Sequence, residues 1–279
     1  MIVLLWILLS LVLLAGLYLF LIAPGRERPD ASALLGHLYA HRGLHGGSVP
    51  ENSLAAFANA VEAGYGIELD VQLTQDGFLV VHHDASLKRV CGVDLRIGDI
   101  TFDELCRHPL PDGSRVPLFA DVLSLVGGRV PLIVEVKHHG GAARNAAAAL
   151  EHLRAYAGPY CVESFHPLAM RYFRRLPPGV IRGQLAMGGK RQPGESSRAA
   201  HFALKHLLVN CLSRPHFVAY SYPEDHTPGM WLMRRFFHPL LAAWTLRSQK
   251  TLDGALARGY QLPIFEGFTP RQNGAPPSC

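Results

Sequence analysis

The sequence predicts an α/β fold: a (β/α)₈ TIM barrel with a β-hairpin excursion after its second strand, preceded by one transmembrane helix. Apolar runs of strand length alternate with helical stretches across residues 37–270, the pattern of repeated βα units. Eight such runs occur, the number at which a parallel sheet closes on itself, and the roughly 250 residues that follow the apolar N-terminus are the usual size of one such barrel.

The first element is apolar throughout. Residues 1–23 contain no charged side chain, are dominated by Leu, Ile and Val, and end at Pro24-Gly25. At about 1.5 Å per residue this run reaches roughly 33 Å, enough to cross a hydrocarbon core. A secretory signal fits less well, because there is no basic leading region, the apolar run is too long and no A-x-A site follows. A soluble core helix would keep a polar stripe. Residues 1–24 are therefore read as a single-pass anchor and 25–36 as a linker. The barrel domain is expected over 37–270, with a disordered tail at 271–279. Arg26 and Arg28 flank the anchor, and the positive-inside rule, which gives Glu27 and Asp30 little weight, puts the barrel on the cytoplasmic side.

The strands are expected at Leu38–His41, Gly66–Val71, Val130–Val136, Tyr160–Phe165, Val180–Leu185, Phe217–Ser221, Leu240–Thr245 and Pro263–Phe268. Helices are expected at 53–63, 118–126, 142–156, 167–174, 197–208, 230–237 and 248–258. A ninth strand, Phe78–His83, follows the turn Gln75-Asp76-Gly77 too closely for anything but an antiparallel hairpin. It carries His82 and His83 back to the level of Asp70. Residues 85–116, broken by Pro109 and Pro111, form an excursion.

The net charge is +5 and the pI about 9.0, which suits anionic lipid surfaces or phosphate substrates. No long Lys/Arg run or interleaved aromatic patch points to nucleic acid. The five cysteines, Cys91, Cys106, Cys161, Cys211 and Cys279, are odd in number and form no C-x-x-C. They indicate neither a disulfide framework nor a zinc site.

Chemistry concentrates in short motifs. Glu68 and Asp70 stand two apart in an apolar strand, so both carboxylates leave one face. Burying them side by side is costly unless a cation lies between them. Glu135 and Lys137 repeat the spacing in another apolar run and add a third carboxylate and an ammonium. Three oxygen donors against the cations Arg42 and Lys137 leave negative charge for a hard divalent metal, Mg²⁺ or Ca²⁺, to offset. A plain ion-pair network is the alternative. His37, His41 and His45 share a four-residue spacing, but Gly43, Gly46 and Gly47 argue against a helix there. His82 points to the strand face opposite His83.

Taken together, His41-Arg42-Gly43, Pro50-Glu51-Asn52, Glu68-Leu69-Asp70, His83-Asp84 and Glu135-Val136-Lys137, in this order, resemble the glycerophosphodiester phosphodiesterase family. The likeness runs from about Tyr39 to about Thr269. Its densest part is Glu68-Leu69-Asp70-Val71-Gln72-Leu73-Thr74-Gln75-Asp76-Gly77 followed by Val80-Val81-His82-His83-Asp84. The resemblance implies metal ligation by Glu68, Asp70 and Glu135 and acid/base work by His41 and His83, with the two proton roles unassigned. Glu51, in the P-E-N motif, is expected near Arg42 and is a possible neighbour of the metal. Two stretches depart from the family pattern. Trp244-Thr245-Leu246-Arg247 stands where many members read W-T-V-N, and Phe265-Glu266-Gly267-Phe268 where many read T-D-x-P.

A phosphodiester presents an electrophilic phosphorus and one negative charge, so a Lewis acid and fixed cations favour its hydrolysis. Arg42 offers a fork for phosphoryl oxygens and Lys137 a point charge. Ser164, Gln184 and Trp244 end candidate strands. The first two are read as substrate contacts or as ordinary polar termini, and Trp244 as a surface for glycerol carbons or as core. Asn52 or Ser53 is the expected N-cap of the next helix. Residues 188–198 form a basic loop over the mouth. The expected activity is metal-dependent hydrolysis of glycerophosphodiesters to an alcohol and glycerol 3-phosphate. Lysophospholipid hydrolysis, a transferase making a cyclic phosphate, a silent phosphoester receptor and a scaffold are the alternatives. The expected partners are that substrate and the membrane; the sequence says nothing of oligomeric state.

Overall fold

The computed structural model describes residues 1–175, 180–190 and 197–271. Nine strands are present: β1 (Tyr39–His41), β2 (Gly66–Leu73), β3 (Leu79–Val81), β4 (Leu132–Val136), β5 (Tyr160–Ser164), β6 (Ile181–Ala186), β7 (Phe217–Ser221), β8 (Leu240–Leu246) and β9 (Leu262–Phe265). Eight of them run parallel in the order β1, β2, β4, β5, β6, β7, β8, β9, and β9 returns to β1 through the pairs Tyr39↔Ile264 and Ala40↔Phe265. The sheet is a closed barrel. β3 hangs outside the closure, antiparallel to the end of β2 through Val71↔Val81 and Leu73↔Leu79. The hairpin is where its turn signal placed it.

Alternation along each strand sorts side chains into two cores. Ile67, Leu69, Val71, Val134 and Val136 point outward and pack under helices, while Tyr39, Ile133, Cys161, Leu185, Phe217, Ala242 and Ile264 fill the barrel. The floor is shut by two rings. A Cβ on Gly66 would lie 2.6 Å from the Tyr39 ring, and one on Gly183 would collide with the Phe217 ring, so only glycine lets those aromatics lie flat against the neighbouring strand.

The helices follow the apolar periodicity. Leu54–Glu62 turns Ala56, Phe57, Ala60 and Val61 to the core, and the Ser53 side chain accepts from Ala56 N as its N-cap. Burying a ring such as Phe57 contributes roughly 1.5–3 kcal/mol; Phe57→Ala would leave a hole between this helix and β2. The expected 197–208 helix is shorter, Arg198–Lys205. The expected 230–237 helix is α-helical over Pro228–Leu232 and widens to a π-turn over Met233–Phe237. β9 ends three residues before the expected Phe268, because Gly267 at φ +76° turns the chain away. The 85–116 excursion is compact, with its own small core of Val80, Leu87, Ile97, Leu105, Leu110 and Val116.

The helix Ile2–Ile22 is exposed over its apolar length, yet its last turn is fixed. Asn210 Nδ2 donates to Ile22 O at 2.8 Å, and Arg214 Nη1 donates to Phe20 O at 2.9 Å and Ala23 O at 2.8 Å. The expected linker, 25–36, also packs onto the barrel: Gly25 N donates to Pro215 O, Arg28 Nη2 to Phe237 O, and Leu34 is buried beneath the Tyr39 hydroxyl, which donates to its carbonyl. The expected tail lies almost wholly outside the described residues, as does the central part of the 188–198 loop, Arg191 included. Cys91, Cys106, Cys161 and Cys211 are unpaired.

Candidate active site

Inward-facing residues of successive strands build the site above the apolar floor. β2 supplies Glu68 and Asp70, β4 supplies Glu135, and the parallel register sets Asp70 beside Glu135 and Glu135 beside Glu163 of β5. Glu68, Asp70 and Glu135 each offer an oxygen within 4.8 Å of the others, and all three are buried. Lys137 Nζ lies 2.7 Å from Asp70 Oδ1 and 2.7 Å from Glu135 Oε1. Asn52 Nδ2 donates to Asp70 Oδ2 at 2.8 Å, and Arg42 Nε stands 3.5 Å from the same oxygen.

The H-R-G and P-E-N motifs meet through backbone. Arg42 and Asn52 are both left-handed, at φ 55° and 54°, a conformation that non-glycine residues seldom adopt. Arg42 N thereby donates to Glu68 Oε2 at 3.1 Å, and Asn52 N to Arg42 O at 2.9 Å. The Arg42 guanidinium bonds Glu51 at 2.8 Å, as expected of that neighbour. Arg89, which the sequence reading missed, binds Glu51 at 2.7 and 2.8 Å and Asp84 at 2.6 Å. Burial opposes ionisation of Glu51, but Arg89 and Arg42 outweigh it and hold the carboxyl at about 2.

His41 and His83 share one arrangement. His41 Nδ1 is 3.0 Å from Glu266 Oε1, and His83 Nδ1 is 2.6 Å from Asp84 Oδ1. A carboxylate only accepts, so each Nδ1 carries the hydrogen, and His41 Nε2 stands 3.8 Å from Glu68 Oε2. Both rings line a cavity of about 420 Å³ with Arg42, Glu68, Glu135 and Trp244. Glu266 was noticed in the sequence only as a departure, as was Arg247. The two departures are partners: Arg247 Nη2 donates to Glu266 Oε2 at 2.6 Å. The register Tyr39↔Ile264 at the barrel closure, continued by two residues, brings position 266 opposite His41.

Strand parity decides the remaining expectations. In β5 the inward residue is Glu163, and Ser164 turns away to donate to Val136 O at 2.6 Å. In β6 the inward residue is Leu185, and Gln184 Nε2 donates to the backbone carbonyls of Ser164, Phe165 and Leu185. Neither Ser164 nor Gln184 lines the cavity; Glu163 and Leu185 do. A glutamate inside an otherwise apolar strand run was the signal available for Glu163. Trp244 lines the cavity edge-on to Phe165, with its Nε1 buried and unpartnered. His82 is buried away from the mouth.

Burial, reinforced by Asp70, Glu135 and Glu163, pushes the Glu68 carboxyl well above the usual range. Burial and Glu135 do the same to Glu163, whose Oε2 has no hydrogen-bond partner. Burial also opposes Asp70, but Lys137, His83 and Arg42 hold it well below its ordinary value. Burial likewise opposes the charge on Lys137, and Asp70 and Glu135 prevail and raise it. Burial first, and the neighbouring carboxylates second, disfavour the charged form of both glutamates, and an added cation would offset this. The donors are all hard oxygens, so the residues fit a divalent cation such as Mg²⁺ or Ca²⁺. Arg42 Nε is also without a hydrogen-bond partner.

The barrel and its mouth chemistry define a phosphoric diester hydrolase. Residues 41–249 match the Glycerophosphoryl diester phosphodiesterase family, and the chain belongs to it. It is 33% identical over 170 residues to a Glycerophosphodiester phosphodiesterase of Bacillus altitudinis, covering 56% of this chain and 69% of that protein. It is 45% identical over 100 residues to Lysophospholipase D GDPD1 of Homo sapiens, covering 35% of this chain and 31% of that one. Its fold is similar to the crystal structure of a glycerophosphodiester phosphodiesterase from Parabacteroides distasonis, with a TM-score of 0.65 and 25% identity over 82% of this chain and 92% of the other.

Proposed function

We propose that this enzyme hydrolyses glycerophosphodiesters to an alcohol and glycerol 3-phosphate, with His41 and His83 moving the protons and a divalent cation held by Glu68, Asp70 and Glu135. The observation that carries the reading is the pair of carboxylate-backed histidines on one cavity: a binding protein has no need of two imidazoles each held at Nδ1 by a carboxylate. Hydrolysis takes a proton from the attacking oxygen and delivers one to the departing alkoxide. Burial lowers the His41 pKa more than Glu266 restores it, which keeps the ring neutral and suits it to accept the first proton. His83, carrying hydrogens on both ring nitrogens while Asp84 accepts from Nδ1, gives its Nε2 proton to the departing alkoxide. Arg42 orients the phosphoryl oxygens with its fork, and Lys137 keeps Asp70 and Glu135 ionised. Trp244 offers an apolar wall to the glycerol carbons. The cation, when bound, supplies Lewis-acid polarisation of a phosphoryl oxygen.

The Ile2–Ile22 helix is read as a single-pass anchor, with the barrel on the cytoplasmic side. An anchored enzyme meets lipid-derived substrates at raised local concentration. That, and the likeness to a lysophospholipase D, supports lysophospholipids as a second substrate class.

The test is turnover of glycerophosphocholine and glycerophosphoethanolamine by the full chain in detergent, with EDTA, Mg²⁺ or Ca²⁺, beside His41→Ala and His83→Ala. Metal-dependent release of glycerol 3-phosphate that both substitutions abolish supports the reading. A cyclic phosphate seen by phosphorus NMR overturns hydrolysis in favour of a transferase. Release of choline from lysophosphatidylcholine micelles decides the second class.

A further inference from the structure

The root of the N-terminal helix is surrounded by exposed aromatic and basic side chains. Phe202, Trp231 and Phe236 are 56%, 60% and 60% exposed, and Leu212 36%. Leu212 and Trp231 lie on segments beside the end of the helix, Phe202 packs on the His206 ring at 4.4 Å, and Phe236 packs on Trp231. A Cβ on Gly229, two residues before Trp231, would meet the Tyr18 hydroxyl and the His206 carbonyl, each at 3.3 Å. Leu212 follows Asn210, whose amide holds Ile22 O. Trp231 and Phe236 pack edge to face at 5.8 Å, and the Arg235 guanidinium lies over the Phe236 ring at 5.4 Å.

Length places this patch at a defined depth. The helix has 21 residues, which at about 1.5 Å each gives roughly 31 Å, against a hydrocarbon core of about 30 Å. No apolar length is spare. The turn from Tyr18 to Ile22, bonded to Asn210 and Arg214, is therefore needed to complete the crossing. Whatever packs beside that turn must reach the boundary between acyl chains and headgroups. Aromatic rings with one apolar and one wet side favour that boundary, and arginines extend from it to lipid phosphates. Arg26, Arg174 and Arg235 are exposed around the patch, with Arg174 Nη1 against the carbonyls of Cys211 and Leu212 at 3.4 Å. Glu27, the acidic residue among them, faces His216 at 3.5 Å.

We infer that Phe202, Leu212, Trp231 and Phe236 form a second membrane contact that seats the barrel flank in the interface of an anionic bilayer. The inference rests on the reading of Ile2–Ile22 as a membrane span. The patch, continuous with the anchor and edged with arginine, adds an in-plane footing worth its buried apolar area plus attraction to anionic lipid.

The chain has three tryptophans, Trp6, Trp231 and Trp244, one each in the helix, the patch and the cavity. The full-length chain is reconstituted in phosphatidylcholine–phosphatidylglycerol vesicles with or without acyl-brominated phosphatidylcholine, in three single-tryptophan forms made by Trp→Phe substitution. The expected result is loss of most Trp6 and Trp231 emission in brominated vesicles, with Trp244 left bright. Quenching of Trp6 with Trp231 untouched overturns the footing and leaves the anchor standing. An unquenched Trp6 overturns the anchor, and the footing with it.

Discussion

Lys137 Nζ is equidistant, at 2.7 Å, from Asp70 Oδ1 and Glu135 Oε1. One buried ammonium therefore bridges two strands and offsets charge on two of the three carboxylates assigned to the metal. Removing a partner from a buried ion pair costs about 3–5 kcal/mol, because the orphaned charge remains. Lys137→Met is expected to lose that much stability in EDTA, measured by urea unfolding, and to regain more of it on adding Mg²⁺ than the wild-type chain gains.

Metal itself should be visible in stability before it is visible in turnover. A cation that binds only the folded chain stabilises by mass action, about 2.7 kcal/mol at 100 times its Kd. Thermal unfolding of the wild-type chain should shift upward with Mg²⁺ or Ca²⁺, and Asp70→Asn should abolish most of the shift. An equal shift in both proteins would remove Asp70 from the ligand set.

Glu266 orients His41 from across the barrel closure. General acid/base groups contribute roughly 10²- to 10⁴-fold, and His41→Ala is expected to lose an amount in that range in kcat. Glu266→Gln keeps the shape but loses the charge. Its kcat should fall by less than that of His41→Ala, with KM little changed. Because Arg247 shares Glu266, Arg247→Gln should affect kcat in the same direction but more weakly. A Glu266→Gln enzyme with wild-type kcat would show that the contact is structural.

A single buried carboxylate outside the cavity bears on pH stability. Asp225 accepts from Arg258 Nη1 at 2.8 Å, from Tyr260 Oη at 2.8 Å and from Arg234. Burial opposes its charge, but these partners lower its pKa below the ordinary value. The unfolded chain thus binds a proton more readily, so this stabilisation is full above the unfolded pKa of about 3.9 and is lost as pH falls through the folded value. Asp225→Asn should cost about 1.5–3 kcal/mol at pH 7. Its stability should also decline less than that of the wild-type chain below pH 4, by urea midpoints across pH.

The carboxylate cluster was legible because a strand has period two. Glu68 with Asp70 and Glu135 with Lys137 share a face by that parity, and in this barrel the face is the interior. The same rule, applied at β5 and β6, selects Glu163 and Leu185 rather than Ser164 and Gln184. The end of a strand was visible in the sequence, but its inward parity was fixed only by pairing with the preceding strand, β4 for β5 and β5 for β6. Glu266 was illegible as a partner of His41 because 225 residues separate them, and only closure of β9 onto β1 joins them. Arg89 sits in an excursion with no periodic pattern, where contacts depend on how a small satellite core folds back. The 25–36 segment reads as a linker by composition, but its carbonyls and amides are bonded to the barrel base.

The paired rings of Tyr39 and Phe217 have a consequence for traffic. Among the described residues the base of the barrel is plugged, so the chamber is reached from its mouth. The alcohol and the glycerol phosphate must leave by the route the diester entered, and one product leaving first clears the way for the other. A diester bearing a long acyl chain could not thread through; its tail would have to stay outside the mouth while its phosphate reached the cavity.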